Sequence, residues 1–179
     1  MSTLKDYKIF LDLDGVLANF SGKVAELMGF VLDEGAEISA HPQFIKKKMW
    51  QYINSHDWHT PFFYSLDKMK DADILFDYVL NEFDHKNVEI LTASGTSPVD
   101  APQQKIRWVR KHFGKFKVNV VSKSADKAQF ASPMSILVDD RMKSIEPWIS
   151  AGGTGILHVN AIKTIEVLEQ LKALIRKGS

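Results

Sequence analysis

Ile9-Phe10-Leu11-Asp12-Leu13-Asp14-Gly15-Val16-Leu17-Ala18-Asn19-Phe20 decides the fold. The opening run is apolar without alternation, the pattern of a strand buried on both faces in a parallel sheet. It runs into two carboxylates one residue apart, and Gly15 then lets the chain turn. Asp12 and Asp14 are therefore expected at the carboxyl edge of a sheet, where open α/β folds place their ligands. Two carboxylates ending a hydrophobic strand are costly unless a cation or a substrate uses them. An Asx-turn with a helix cap accounts for one Asp and the Gly. It leaves Asp12 unexplained, because the strand should still be apolar there.

The rest of the chain fits such a sheet. From Val88 onward apolar runs alternate with amphipathic stretches: strands are expected at Val88 to Thr92, Val118 to Val121, Ile136 to Asp139 and Gly155 to Val159. Helices are expected at Pro102 to Phe113, Met142 to Ala151 (with Pro147 in a distorted turn) and Ile162 to Arg176, with a short helical piece at Ala125 to Ala131. Alternation of this kind implies a parallel sheet with right-handed crossovers. The expectation is a Rossmann-like, five-stranded parallel α/β sheet with helices on both faces. Residues 1–19 and 86–179 would form its core, and 20–85 a small helical cap inserted after the first strand.

The 179 residues suffice for one well-buried domain with a modest insertion. A formal net charge of +1 gives no bulk attraction to a long nucleic acid or a membrane. With no cysteine there is no disulfide, thiolate zinc site or Cys nucleophile. The N-terminal residues carry no apolar signal core and no run is long enough for a bilayer, so a cytoplasmic location is expected. Sequence gives no account of oligomeric state.

Two later strand ends carry further polar groups. Thr92-Ala93-Ser94 follows one apolar strand and would offer a hydroxyl and backbone N–H groups to an anion. Asp139-Asp140-Arg141 follows another and repeats the acidic pair. Between them lie Lys123 and Lys127, which otherwise read as surface lysines. The run Lys46-Lys47-Lys48 reads as a solvated face. His56-Asp57-Trp58-His59-Thr60-Pro61-Phe62-Phe63-Tyr64 is the most aromatic segment. It is either cap core or a pocket for a planar ring, and both readings stay open. Two histidines there, without a third ligand, make a weak metal site.

Asp-x-Asp-Gly with apolar residues after it resembles the first motif of the haloacid dehalogenase superfamily of phosphohydrolases. The longer string Asp12 to Phe20 is similar to the 5'(3')-deoxyribonucleotidases within it. The resemblance implies Asp12 as nucleophile and Asp14 as acid–base. It implies a phosphate site from Thr92, Ala93, Ser94 and a lysine, with Lys127 preferred and Lys123 the earlier basic group. It also implies Mg²⁺ held by Asp12, Asp139 and the backbone carbonyl of Asp14, with Asp140 behind, and Phe20, Trp58, Phe62 and Phe63 against the base. The set is chemically coherent: hard oxygens suit Mg²⁺, and an activated carboxylate can take a phosphoryl group. Two departures border the substrate: the family commonly has an acidic residue where Asn19 stands, and lacks the stretch Gly95-Thr96-Ser97. The expected activity is hydrolysis of a nucleoside monophosphate, a small-molecule substrate. The alternatives are the same chemistry on a sugar phosphate or a nucleic-acid 3'-phosphate, or a silent phosphate-binding module.

Overall fold

The computed structural model describes residues 3–33, 36–55 and 61–177. Five strands, β1 (Lys8–Leu11), β2 (Val88–Ala93), β3 (Lys117–Val121), β4 (Ser135–Asp139) and β5 (Thr154–Leu157), form one sheet in the order β3-β2-β1-β4-β5. Every pairing is parallel. The sheet is thus the expected α/β one, within a residue or two at each strand end. The last strand differs most. It ends at Leu157, although the His158 N–H still bonds the Asp139 carbonyl of β4 at 2.8 Å.

Alternate residues of the strands divide between two apolar layers, as side chains on a pleated strand must. Ile9, Leu11, Ile90, Ile136 and Val138 pack with α3 (Ala72–Glu82), α4 (Ala101–His112) and α6 (Ala161–Lys177). Phe10, Leu91 and Leu137 pack on the opposite face with Ile145 and Trp148 of α5 (Met142–Ser150). Each such side chain contributes about 1.5–3 kcal/mol by leaving water. That gain offsets the cost of the polar groups gathered at the strand ends.

The stretch 20–85 holds two kinds of element. α1 (Phe20–Met28), α2 (Lys46–Asn54) and 3-10 turns at Ile38–Ala40 and Phe63–Ser65 lie over the carboxyl edge of the sheet. α3 instead packs on α6. Tyr78 donates to Glu169 at 2.7 Å, Lys172 pairs with Glu82 at 2.7 Å, and the Asp71 carboxylate accepts the Ala161 N–H at 2.6 Å.

Strand order decides where a ligand can enter. The chain runs outward from β1 through β2 to β3, then crosses back to place β4 on the other side of β1. The crevice at the carboxyl ends of β1 and β4 is the switch point, where such sheets bind ligands.

One buried carboxylate sits within the sheet and away from that crevice. Glu89 of β2 accepts from Lys8 at 2.9 Å, Asn119 at 2.7 Å and Lys117 at 3.3 Å. Burial pushes its pKa up, but the three donors outweigh burial and hold it below the ordinary value. A depressed carboxyl pKa stabilises the fold above the unfolded value, and that stability is lost as pH falls through the folded one. Glu89→Gln should therefore cost about 1 kcal/mol at neutral pH. In urea melts the gap to wild type should close as pH drops through the carboxylate range. A gap that does not change with pH would show that the charge of Glu89 is not what stabilises the sheet.

Candidate active site

The site starts where β1 stops. The Asp12 N–H still bonds Val138 O of β4 at 3.0 Å, which keeps the first aspartate in register with that strand. The Leu13 carbonyl then accepts from Val16, Leu17 and Ala18, folding the chain into a tight loop. Gly15 sits in that loop at φ 80, and a Cβ there would meet Asp140 Oδ2 at 2.2 Å. Glycine is needed twice over, for the positive φ and for the approach to Asp140. Asn19 ends the loop by capping α1, accepting the Gly22 N–H at 3.0 Å.

Asp12 and Asp139, each at most 5% exposed, share the ammonium of Lys127. Its Nζ is 2.8 Å from Asp12 Oδ1 and 2.6 Å from Asp139 Oδ2. Lys127 is delivered by the 3-10 turn Ser124–Phe130, which carries the chain from β3 across to β4. Burial works against its charge, but Asp12 and Asp139 outweigh burial and raise its pKa above the ordinary lysine value. Of the two lysines considered, Lys127 lies against the aspartates. Lys123 is exposed and lines the cavity mouth, its backbone N–H held by Asp126 at 3.0 Å.

Carboxylate oxygens of Asp12, Asp139 and Asp140 all lie within 4.8 Å of one another. Burial and then the charge of Asp12 push the Asp139 pKa to about 6. The same two causes, with a hydrogen bond to Glu37 of the cap, take Asp140 to about 9. Asp140 Oδ1 is buried without a partner. Four carboxyl groups (Asp12, Asp14, Asp139, Asp140) thus face only two buried ammonium groups (Lys105, Lys127) among the described residues. A compact set of hard oxygens with surplus negative charge fits a small divalent cation such as Mg²⁺. Asp140, expected behind the metal, stands in the cluster itself.

Asp14 has different surroundings. Its Oδ2 is 2.6 Å from the Nζ of Lys105, a lysine of α4 that is 1% exposed, while its buried Oδ1 has no partner. Burial raises the Asp14 pKa; Lys105 pulls it back and Asp12 pushes it up again, and the result stays above the ordinary carboxyl value.

At the end of β2 the geometry departs from expectation. The Thr92 hydroxyl is fully buried and 3.2 Å from Lys105 Nζ, not turned to the cavity. The N–H groups expected to be free after it are taken, Ser94 N by Val121 O and Gly95 N by Ser122 O, because pairing with the β3 segment runs on past the strand. Ala93 and Ser94 themselves do line the cavity.

That cavity, about 390 Å³, opens between the sheet edge and the cap. Phe20, Phe44, Trp50 and Phe63 form its aromatic side, Asp12, Asp14 and Asp140 its acidic floor, and Lys46, Lys123 and Arg141 its cationic part. Phe20 and Phe63, expected against the base, therefore line it. Phe62 does not: it is 1% exposed and packs edge-on against both rings. His56, Trp58 and His59 lie outside the described residues.

Lys105, Phe44, Trp50, Lys46 and Arg141 are among the site residues that sequence reasoning missed. Lys105 had a signal: it falls on the apolar stripe of its helix with Ala101, Trp108 and Val109. A lysine there is buried, and a buried lysine needs a partner.

Residues 6–166 match the model described as 5' nucleotidase, deoxy (pyrimidine), cytosolic type C protein. None of the curated proteins compared matches the chain. Among solved structures, a hydrolase from Streptococcus pneumoniae TIGR4 aligns with a TM-score of 0.54 at 13% identity, covering 92% of this chain and 99% of that one. A haloacid dehalogenase family hydrolase from Deinococcus radiodurans R1, with bound phosphate and sodium, aligns at 0.51 and 14%, covering 92% and 89%. At these identities the likeness is one of fold. The match over residues 6–166, on a haloacid dehalogenase-like fold, places the chain in the cytosolic type C 5'-nucleotidase family, and it is a phosphoric monoester hydrolase.

Proposed function

We propose that the chain hydrolyses nucleoside monophosphates, deoxyribonucleotides among them, through an aspartyl-phosphate on Asp12. The observation that carries the reading is the contrast between two carboxylates two residues apart. Asp12 is paired with Lys127 inside the Asp139–Asp140 cluster, whereas Asp14 is held by Lys105 with one oxygen unpartnered. Different environments of this kind let one carboxylate attack while the other trades protons.

Asp12, Asp139, Asp140 and the Asp14 carbonyl would hold Mg²⁺, which when bound screens the approach of a carboxylate to an anionic phosphate. An Asp12 oxygen attacks phosphorus, and the bond to the leaving oxygen breaks as Asp14 gives that oxygen its proton. Nucleoside leaves. Asp14, now ionised, takes a proton from water, the water oxygen attacks phosphorus, and the bond to Asp12 breaks to release inorganic phosphate. Lys127 holds Asp12 in line throughout and offsets charge on the phosphoryl oxygens, the electrostatic positioning that dominates phosphoryl transfer. Ser94 and Lys123, at the cavity wall, are the nearer candidates for direct phosphate contact.

The aromatic side of the cavity supports a planar base as the rest of the substrate. Trp50 and Phe44 join Phe20 and Phe63 there, and stacked rings tolerate any base. The near-neutral net charge fits a mononucleotide better than a long nucleic acid. No helix among the described residues is long and apolar enough to cross a membrane. A cytoplasmic location accords with the cytosolic type of the family.

Phosphate release across nucleoside monophosphates, sugar phosphates and a 3'-phosphorylated oligonucleotide, with and without Mg²⁺, tests the whole reading. The nucleoside monophosphates should be hydrolysed fastest, and a chelator should stop turnover until Mg²⁺ is restored. A sugar phosphate turned over fastest would keep the chemistry and overturn the substrate.

Asp12→Asn should lower kcat by more than about 1,000-fold with the melting temperature preserved, the scale of an essential nucleophile. Residual activity of a few percent would remove Asp12 from that role.

Trp50→Ala should weaken nucleotide binding by about 1–3 kcal/mol and leave a small aryl phosphate untouched, since only the nucleotide has a base to stack. Equal losses on both substrates would mean that Trp50 supports the cap and not the base.

A further inference from the structure

Lys105 is a buried charge beside the site to which the hydrolytic steps assign no role. Three groups surround its ammonium. Asp14 Oδ2 is at 2.6 Å, Thr92 Oγ1 at 3.2 Å, and the centre of the Phe63 ring at 4.6 Å. They come from the loop after β1, the end of β2 and the cap, so Lys105 joins all three. A buried ammonium is retained only where its partners repay the loss of water. Here the Asp14 carboxylate repays most of it, with the ring face adding a cation–π contribution.

The two oxygens of Asp14 are unequal. Oδ2 is fixed by Lys105, and Oδ1 is buried without a protein partner in a residue that lines the cavity. A carboxyl held at one oxygen presents the other in a fixed direction. Lys105 has little freedom of its own, because α4 is tied to the cap on either side of it. Gln104 Oε1 accepts the Phe63 N–H at 2.8 Å, and Trp108 Nε1 donates to the Leu66 carbonyl at 2.7 Å.

We propose that Lys105 is a positioning residue for the acid–base step: it pins Asp14 Oδ2 so that Oδ1 points at the leaving oxygen, and Phe63 seals that contact from solvent. This rests on Asp14 as the acid–base group of the proposed hydrolase. The proton transferred is Asp14's own, carried on Oδ1. Lys105 donates hydrogen bonds and exchanges no proton with substrate. Thr92, expected at the phosphate, belongs to the same device as the second acceptor on Lys105.

The test is a cycle of Lys105→Met, Asp14→Asn and the double variant, each beside wild type. Single-turnover release of the leaving group is followed from a nucleoside monophosphate and from a nitrophenyl phosphate. Methionine keeps the length and apolar stem and removes the ammonium. Lys105→Met should slow nucleoside release about 100-fold, the scale of general acid catalysis, with KM changed less than about threefold. Nitrophenol, a good leaving group, needs little protonation, so its release should change less than about threefold. In the Asp14→Asn background the second substitution should cost nothing more, since Lys105 acts through that carboxyl.

Equal slowing of both esters, or a further loss on top of Asp14→Asn, overturns the proposal and leaves Lys105 a structural residue. If Asp14→Asn is slow and Lys105→Met is not, the proposal alone fails. If Asp14→Asn matches wild type, the acid–base reading fails and takes this proposal with it. The double variant buries no unpaired charge, so it decides the matter if Lys105→Met does not fold. Release at the Asp14→Asn rate supports the proposal, and a further fall overturns it.

Discussion

The ion pairing of Lys127 with Asp12 and Asp139 is the interaction on which the rest depends. Two carboxylates stand at the ends of adjacent apolar strands, each almost wholly out of water. Neither could remain ionised there alone, because the cost of burying a lone carboxylate exceeds the stability of a small domain. One ammonium between them removes most of that cost. The requirement reaches back into topology. The connection from β3 to β4 crosses this end of the sheet as a 3-10 turn, and that turn carries Lys127 into the gap. A crossover helix elsewhere on the face would satisfy the fold and leave the pair unneutralised.

Lys127 neutralises only part of the charge, and the remainder shapes the chemistry. Asp140 shares a hydrogen bond with Glu37 and sits far above its ordinary pKa, which is how a crowded acidic cluster behaves without a cation. Asp14 escapes the cluster because Lys105 draws it the other way. Two aspartates two residues apart in sequence thus acquire separate cations from separate elements. The difference in their surroundings comes from those partners, not from their own identity.

The sheet and the acidic positions were readable because they follow from period and burial. Short apolar runs rich in β-branched residues such as Ile136-Leu137-Val138 read as strands buried on both faces, and a carboxylate directly after one is out of place unless it has work to do. Hydroxyl and amide positions were less readable. Thr92 looked like a phosphate ligand, but its direction depends on Lys105, thirteen residues later in a different element. The N–H groups of Ser94 and Gly95 looked free because sequence does not reveal how far pairing with β3 continues. Lys46, Lys47 and Lys48 are all exposed, as such a run reads, and the burial of Met49 and Ile53 sets the rotation of α2 that leaves Lys46 at the cavity.

The aromatic segment shows why the choice between cap core and ring pocket had no single answer. A cap of two short helices has too little interior to keep a core apart from a cavity wall, so one layer of rings forms both. Phe62 takes the inner position. Phe63 stacks beside Phe20 at 6.2 Å and 20°, and it closes over Lys105 while facing the cavity. Its backbone is fixed by Gln104, the neighbour of Lys105 on α4. The position of Phe63 on the cavity wall and the lysine that holds Asp14 are therefore set by consecutive residues of one helix. A displacement of α4 would carry Phe63 and Asp14 together, because Gln104 and Lys105 hold one each.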